Sequence, residues 1–78
     1  MALSITVNGE ARTLSGSMSV RAMLAALGLD AKKIAVERNL EIVPRSTYDD
    51  VQVADGDKYE IVHFIGGGNA PAGAYPRG

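Results

Sequence analysis

The dipeptide Asn8-Gly9 constrains this chain more than any other feature. Both positions tolerate a positive φ, so the pair favours the two-residue turn whose twist matches a β-hairpin. Leu3–Val7 (LSITV) runs into it, alternating apolar with polar and carrying the β-branched Ile5 and Val7. That is the pattern of a half-buried strand. The return strand is expected over Glu10–Leu14.

Gly16 then interrupts the chain, and Ser17 or Ser19 is placed to cap a helix. Val20, Met23, Leu24 and Leu27 follow at i, i+3, i+4 and i+7, one face of a helix expected over 20–27. Gly28 stands where a left-handed residue ends a helix. A third strand is expected over 34–37, with Ile34 and Val36 on one face. Asn39 offers a turn, and Glu41-Ile42-Val43 pairs briefly before Pro44 stops it. Residues 46–50 are polar and read as irregular or as one tight helical turn. Val51 and Val53 return the chain to the core, Asp55-Gly56 turns it, and 58–65 (KYEIVHFI) is the longest strand.

Hairpin, helix, strand, short strand and long strand make an α+β domain, one mixed sheet with a helix packed across one face. No hairpin can join the first and last strands, so they are expected as parallel neighbours at the sheet's centre. The helix stripe, Ile5, Val7, Ile34, Val36, Tyr59 and Ile61 are the expected core.

Seventy-eight residues hold one such domain and no more. With 46% hydrophobic residues and a net charge of −1, the chain has the composition of a folded protein. It lacks the basic excess that nucleic acid or an anionic membrane would call for. The absence of cysteine excludes a disulfide scaffold, a thiolate metal site and a cysteine nucleophile. Met1-Ala2-Leu3-Ser4 lacks the layout of a signal peptide, and every apolar run is too short to span a bilayer, so a cytoplasmic protein is expected.

Composition changes abruptly after Ile65. Gly66-Gly67-Gly68 leads into Asn69-Ala70-Pro71-Ala72-Gly73-Ala74-Tyr75-Pro76-Arg77-Gly78, rich in glycine, alanine and proline and without periodicity. Residues 1–65 are read as the domain, 66–68 as a glycine segment and 69–78 as an extension expected to be disordered. On composition alone the glycines are a flexible linker. Their position suggests something else: a strand of glycines leaving a finished domain can thread a narrow channel, because glycine has no Cβ. Ordering it there costs roughly 1–2 kcal/mol per residue, which the folded body must offset through its own contacts.

Val36-Glu37-Arg38-Asn39, Glu41-Ile42-Val43-Pro44-Arg45, Tyr48, Asp55-Gly56-Asp57 and the run from Glu60 through Phe64-Ile65 to Gly66-Gly67-Gly68 resemble the ThiS family of thiamine-biosynthesis sulfur carriers. Asn8-Gly9-Glu10 and the capped helix fit the same family, and the resemblance covers residues 3 to 68. It implies a ubiquitin-like β-grasp fold. It also implies a protein cosubstrate rather than an enzyme, with no bound cofactor and no metal. The terminal glycine, among Gly66, Gly67 and Gly68, would be adenylated by an ATP-dependent ThiF-like enzyme. A sulfur donor would then convert it to a thiocarboxylate for thiazole synthase. The chain departs from the family in carrying ten residues beyond Gly68, which leaves three explanations: maturation by a processing protease acting after Gly67 or Gly68, an added extension, or loss of carrier function. Two other readings stand beside this one: a carrier for another pathway such as molybdopterin assembly, and a non-covalent ubiquitin-like binding module.

Period two on the last strand turns Tyr59 and Ile61 inward and leaves Glu60, Val62 and Phe64 outward. Val62, Phe64 and Ile65 are candidate partner-docking residues, with Arg38 and Arg45 as candidates to meet acidic groups on a partner. Exposed arginines more often only solvate a surface. His63 is the single histidine and makes no metal site alone. Asp55 and Asp57 flank a turn glycine, the common reason for aspartate there, and no catalytic role is assigned to them or to Asp49 and Asp50.

Overall fold

The computed structural model describes residues 2–64. It contains five strands, β1 (Leu3–Val7), β2 (Glu10–Leu14), β3 (Ile34–Arg38), β4 (Glu41–Ile42) and β5 (Lys58–His63), and one helix, α1 (Val20–Ala26). The strands form one sheet in the order β2-β1-β5-β3-β4. β1 and β5 are parallel and adjacent, as expected, and the other pairings are antiparallel. The mixed sheet with one helix across one face is the β-grasp arrangement.

Local chemistry accounts for the boundaries. Asn8 and Gly9 take φ of 52° and 83°, closing the β1–β2 hairpin. Ser19 caps α1 by accepting from the Ala22 N–H at 3.1 Å. Gly28 at φ 76° follows Leu27, the helix's last cap, as expected of a residue with no Cβ to strain. β5 ends at His63, earlier than period two suggested. Phe64 still donates its N–H to the Lys33 carbonyl at 2.9 Å, and Ile65 lies outside the described residues.

The expected core residues are buried except Leu27, which packs partly exposed at its edge. Leu14, Val43, Tyr48 and Val53 join them. Tyr48 is only 1% exposed although it sits in the most polar stretch of the chain. A single 3₁₀ turn over Arg45–Thr47 explains this, since it swings Tyr48 beneath the helix. The loop then closes on α1: Arg21 N–H donates to the Tyr48 carbonyl and Val20 N–H to that of Val51, both at 2.9 Å. Helix N-termini leave such donors without intrahelical partners, and here the loop supplies the acceptors. A second 3₁₀ turn, Ala31–Lys33, leads into β3.

Asn8 does more than turn the chain. Its side-chain amide donates to the Ile61 carbonyl at 3.1 Å and accepts from the Ile61 N–H at 2.7 Å, extending the short β1–β5 ladder beyond the last backbone pair. Two net hydrogen bonds are worth about 2 kcal/mol together. Asn8→Ala is therefore expected to lower the unfolding free energy by about 2 kcal/mol, read as a shifted urea midpoint with an unchanged slope.

Candidate functional site

Strand register decides which side chains meet solvent on the uncovered face of the sheet. Val36 lies opposite Ile61 on the face under α1, so their neighbours Ala35 opposite Val62, and Glu37 opposite Glu60, point to the other side. Ile42 lies opposite Glu37 from β4 and shares that side. Val62 is 62% exposed, Ile42 68% and Phe64 43%. Leu40, at φ 74° in the β3–β4 turn, is 88% exposed. Large apolar side chains at such exposure on one sheet face form a surface suited to a partner.

Val62 and Phe64 were anticipated from their period on β5. Ile42 and Leu40 were not. The signal for Ile42 was present: Val43 is buried, so period two turns its neighbour outward. β5 runs along this face towards the glycine segment. Ile65, Gly66, Gly67 and Gly68, and the extension 69–78, lie outside the described residues.

The two candidate arginines are bound to the chain's own acceptors. Arg45 donates from Nε to the Ala31 carbonyl at 3.1 Å and from a terminal nitrogen to the Ile34 carbonyl at 3.2 Å, tying the Arg45–Thr47 turn to the start of β3. Arg38 donates from Nε to Asp57 Oδ2 at 2.8 Å. Both thus have structural duties in the free protein beyond solvating its surface.

Asp57 is the residue whose importance its turn position concealed. Its side chain is 7% exposed and gathers four donors: Arg38, the Ala54 N–H at 2.9 Å, the Tyr59 hydroxyl at 2.9 Å and the Asn39 amide at 3.2 Å. Burial alone would raise its pKa, but these four bonds to the charged form outweigh burial and hold it below the ordinary value. Burial and the Asp57 carboxylate push the Tyr59 hydroxyl far to the alkaline side, so it stays a neutral donor. The carboxylate therefore fastens the β3–β4 turn and the Ala54 loop to the first residues of β5. Asp55, by contrast, is exposed and accepts the Ser4 N–H at 2.7 Å, the turn role expected of it.

Beneath the covered face, a hollow of about 170 Å³ is lined by residues including Leu27, Leu29, Ile61 and His63. It is smaller than the roughly 300–1,000 Å³ of ordinary ligand pockets. Among the described residues no three His, Asp or Glu side chains are grouped to hold a metal ion. None of the described helices is long and apolar enough to cross a membrane.

Comparison with known proteins places this geometry. The ThiS family model matches residues 5–68, ending on the last glycine of the run. A thiazole synthase of Paramagnetospirillum magneticum is 56% identical over 73 residues, covering 94% of this chain and 22% of the synthase. A second thiazole synthase, of Magnetococcus marinus, is 41% identical over 69 residues, 88% of this chain and 21% of its own length. The chain thus spans about a fifth of these two relatives. The sulfur carrier protein ThiS of Bacillus subtilis is 44% identical over 50 residues, covering 64% of this chain and 76% of the carrier. The crystal structure of ThiS from Geobacter metallireducens superposes with a TM-score of 0.74 at 39% identity, covering 85% of this chain and all of the other. With a family match over nearly the whole domain, this chain belongs to the ThiS family.

Proposed function

We propose that the chain is a sulfur carrier for thiazole formation, loaded as a thiocarboxylate on Gly68. The observation that carries this reading is the family match that stops at Gly68, the last residue of a glycine run beyond β5. The two longer relatives named thiazole synthase, each holding a segment like this one, favour thiazole synthase as the partner that consumes the sulfur. A carrier joined to its acceptor works at a raised effective concentration, a physical reason for such a union in those relatives.

The chemistry needs little from the carrier's side chains. A ThiF-like enzyme joins the Gly68 carboxylate to the AMP portion of ATP and releases pyrophosphate. Sulfur from a donor then attacks the acyl carbon and displaces AMP, leaving the thiocarboxylate. The carrier supplies a threadable terminus and a body to grip, and it is a cosubstrate rather than a catalyst. Gly66 and Gly67 let the terminus enter a channel too narrow for a Cβ. Val62 and Phe64, with Ile65, are the main docking contacts; Arg38, paired with Tyr59 on the face under α1, stands away from them, and Arg45 can reach a partner only with whatever donors its bonds to Ala31 and Ile34 leave free.

The extension has a place in this scheme. A match covering 73 of 78 residues cannot end before residue 73, so the similarity to the Paramagnetospirillum relative runs past Gly68. Residues following the glycine run are therefore shared with a relative, and a processing protease that cuts after Gly68 would free the carboxylate.

Replacing Val62 by Asp or Phe64 by Ala in a chain ending at Gly68 tests the docking face. Each is expected to raise the KM for the carrier about tenfold in the adenylating reaction while leaving kcat near the parent value, as loss of a central apolar contact does. Unchanged KM in both variants would remove this face from the scheme. Offering the loaded carrier to thiazole synthase and to molybdopterin synthase separates the two sulfur pathways: sulfur is expected to pass to the first.

A further inference from the structure

Glu37 and Glu60 lie directly opposite one another in the middle of the uncovered face. Side chains so placed have Cβ atoms about 5 Å apart, and like charges there repel. Glutamate is also a poor strand former, so propensity gives no reason for the pair. The surroundings sharpen the anomaly. Ile42 flanks Glu37 from β4, and Ala35 with Val62 forms the next row, so the two carboxylates stand on largely apolar ground. Lys58 lies two residues along β5 on the same side. Even so, among the described residues neither glutamate takes part in an ion pair or a side-chain hydrogen bond.

We infer that Glu37 and Glu60 together form the seat for one cationic side chain, an arginine by preference, on the adenylating enzyme that docks on this face. The inference rests on the docking role proposed above and specifies the partner's chemistry. A guanidinium presents donors on more than one edge and can serve two carboxylates at once, which an ammonium does less well. Its arrival removes the repulsion between the glutamates. Ile42 and Val62 then exclude water around the contact, which strengthens it. The apolar rim supplies area, and the paired charge sets the register in which the partner lands.

The test uses chains ending at Gly68, so that Arg77, the only cation among residues 65–78, is absent. Glu37→Gln, Glu60→Gln and the double variant are titrated against the adenylating enzyme of the same source organism, at low and high salt. Binding is measured by calorimetry and turnover by ATP–pyrophosphate exchange. Each single variant is expected to weaken binding about tenfold at low salt, the size of one lost charge-assisted contact. The double variant should weaken it by less than the product, because one cation serves both carboxylates. The difference from the parent should shrink at high salt, kcat should hold, and the free variants should melt no lower than the parent. Parent-like binding, or a loss indifferent to salt, overturns the inference. So does a glutamate effect seen only when residues 69–78 are retained, which would make Arg77 the occupant. A parent chain that binds as expected but never exchanges pyrophosphate contradicts the carrier chemistry and leaves the seat supported by the binding series. A parent that does not bind at all overturns both.

Discussion

A chain ending at Gly68 is expected to form an acyl-adenylate with ATP and the adenylating enzyme, and the 78-residue chain is expected to form none. The reason is covalent. While the bond between Gly68 and Asn69 is intact, Gly68 has no carboxylate to activate. In a chain of these 78 residues the free α-carboxylate is instead on Gly78, behind Tyr75-Pro76-Arg77. The same logic fixes the register within the glycine run. A chain ending at Gly67 brings its carboxylate short by one residue, about 3.5 Å. Misplacement of a reacting atom by even about 1 Å can slow a positioned reaction roughly a hundredfold. The Gly67-ended chain should therefore exchange pyrophosphate at least about a hundredfold more slowly, with binding through the body little changed. Equal rates for the two termini would move the reactive end away from Gly68.

The second large effect concerns the folded body that precedes the glycine run. Asp57→Ala removes the acceptor of four hydrogen bonds and leaves the partly buried Arg38 guanidinium without its partner. Breaking one side of a buried ion pair costs about 3–5 kcal/mol. Arg38 remains 32% exposed, so water recovers part of the loss and about 3 kcal/mol is the expected figure. Against the few kcal/mol available to a domain this small, that change brings the protein near its unfolding midpoint at physiological temperature. Circular dichroism during urea titration measures it directly. A loss below about 1 kcal/mol would show that the cluster is only a surface pair.

The same carboxylate gives a pH dependence with a definite sign. Its folded pKa lies below the ordinary value of 3.8, so the folded state binds the proton less readily than the unfolded chain. Its contribution is complete above 3.8 and is lost as pH falls through the folded value. The parent's urea midpoint should thus fall as pH drops below about 4, and the fall should be shallower in Asp57→Asn, where nothing titrates at that position.

How much could be read from the sequence followed the range of the interactions. Periodicity and turn chemistry are local, so Asn8-Gly9, the Ser19 cap, the Val20, Met23 and Leu24 stripe and the parallel β1–β5 pairing were all legible. Tyr48 was not, because its burial depends on a 3₁₀ turn that carries a polar stretch beneath the helix. Asp57 beside a turn glycine looks like any turn aspartate. Only the fold brings Arg38 and Asn39 to it, from nineteen and eighteen positions away in sequence. The same holds for the candidate site. Period two on β5 exposed Val62 and Phe64 in advance, whereas the Glu37–Glu60 pairing is a matter of register between strands that no local pattern reports.

The intact mass of the protein isolated from its source organism, before and after incubation with adenylating enzyme, ATP and a sulfur donor, tests the central claim most directly. The account predicts a mass ending at Gly68, followed by replacement of one oxygen by sulfur. A mass that retains residues beyond Gly68 and does not change on incubation would contradict it, and would leave a β-grasp body that binds partners without carrying sulfur.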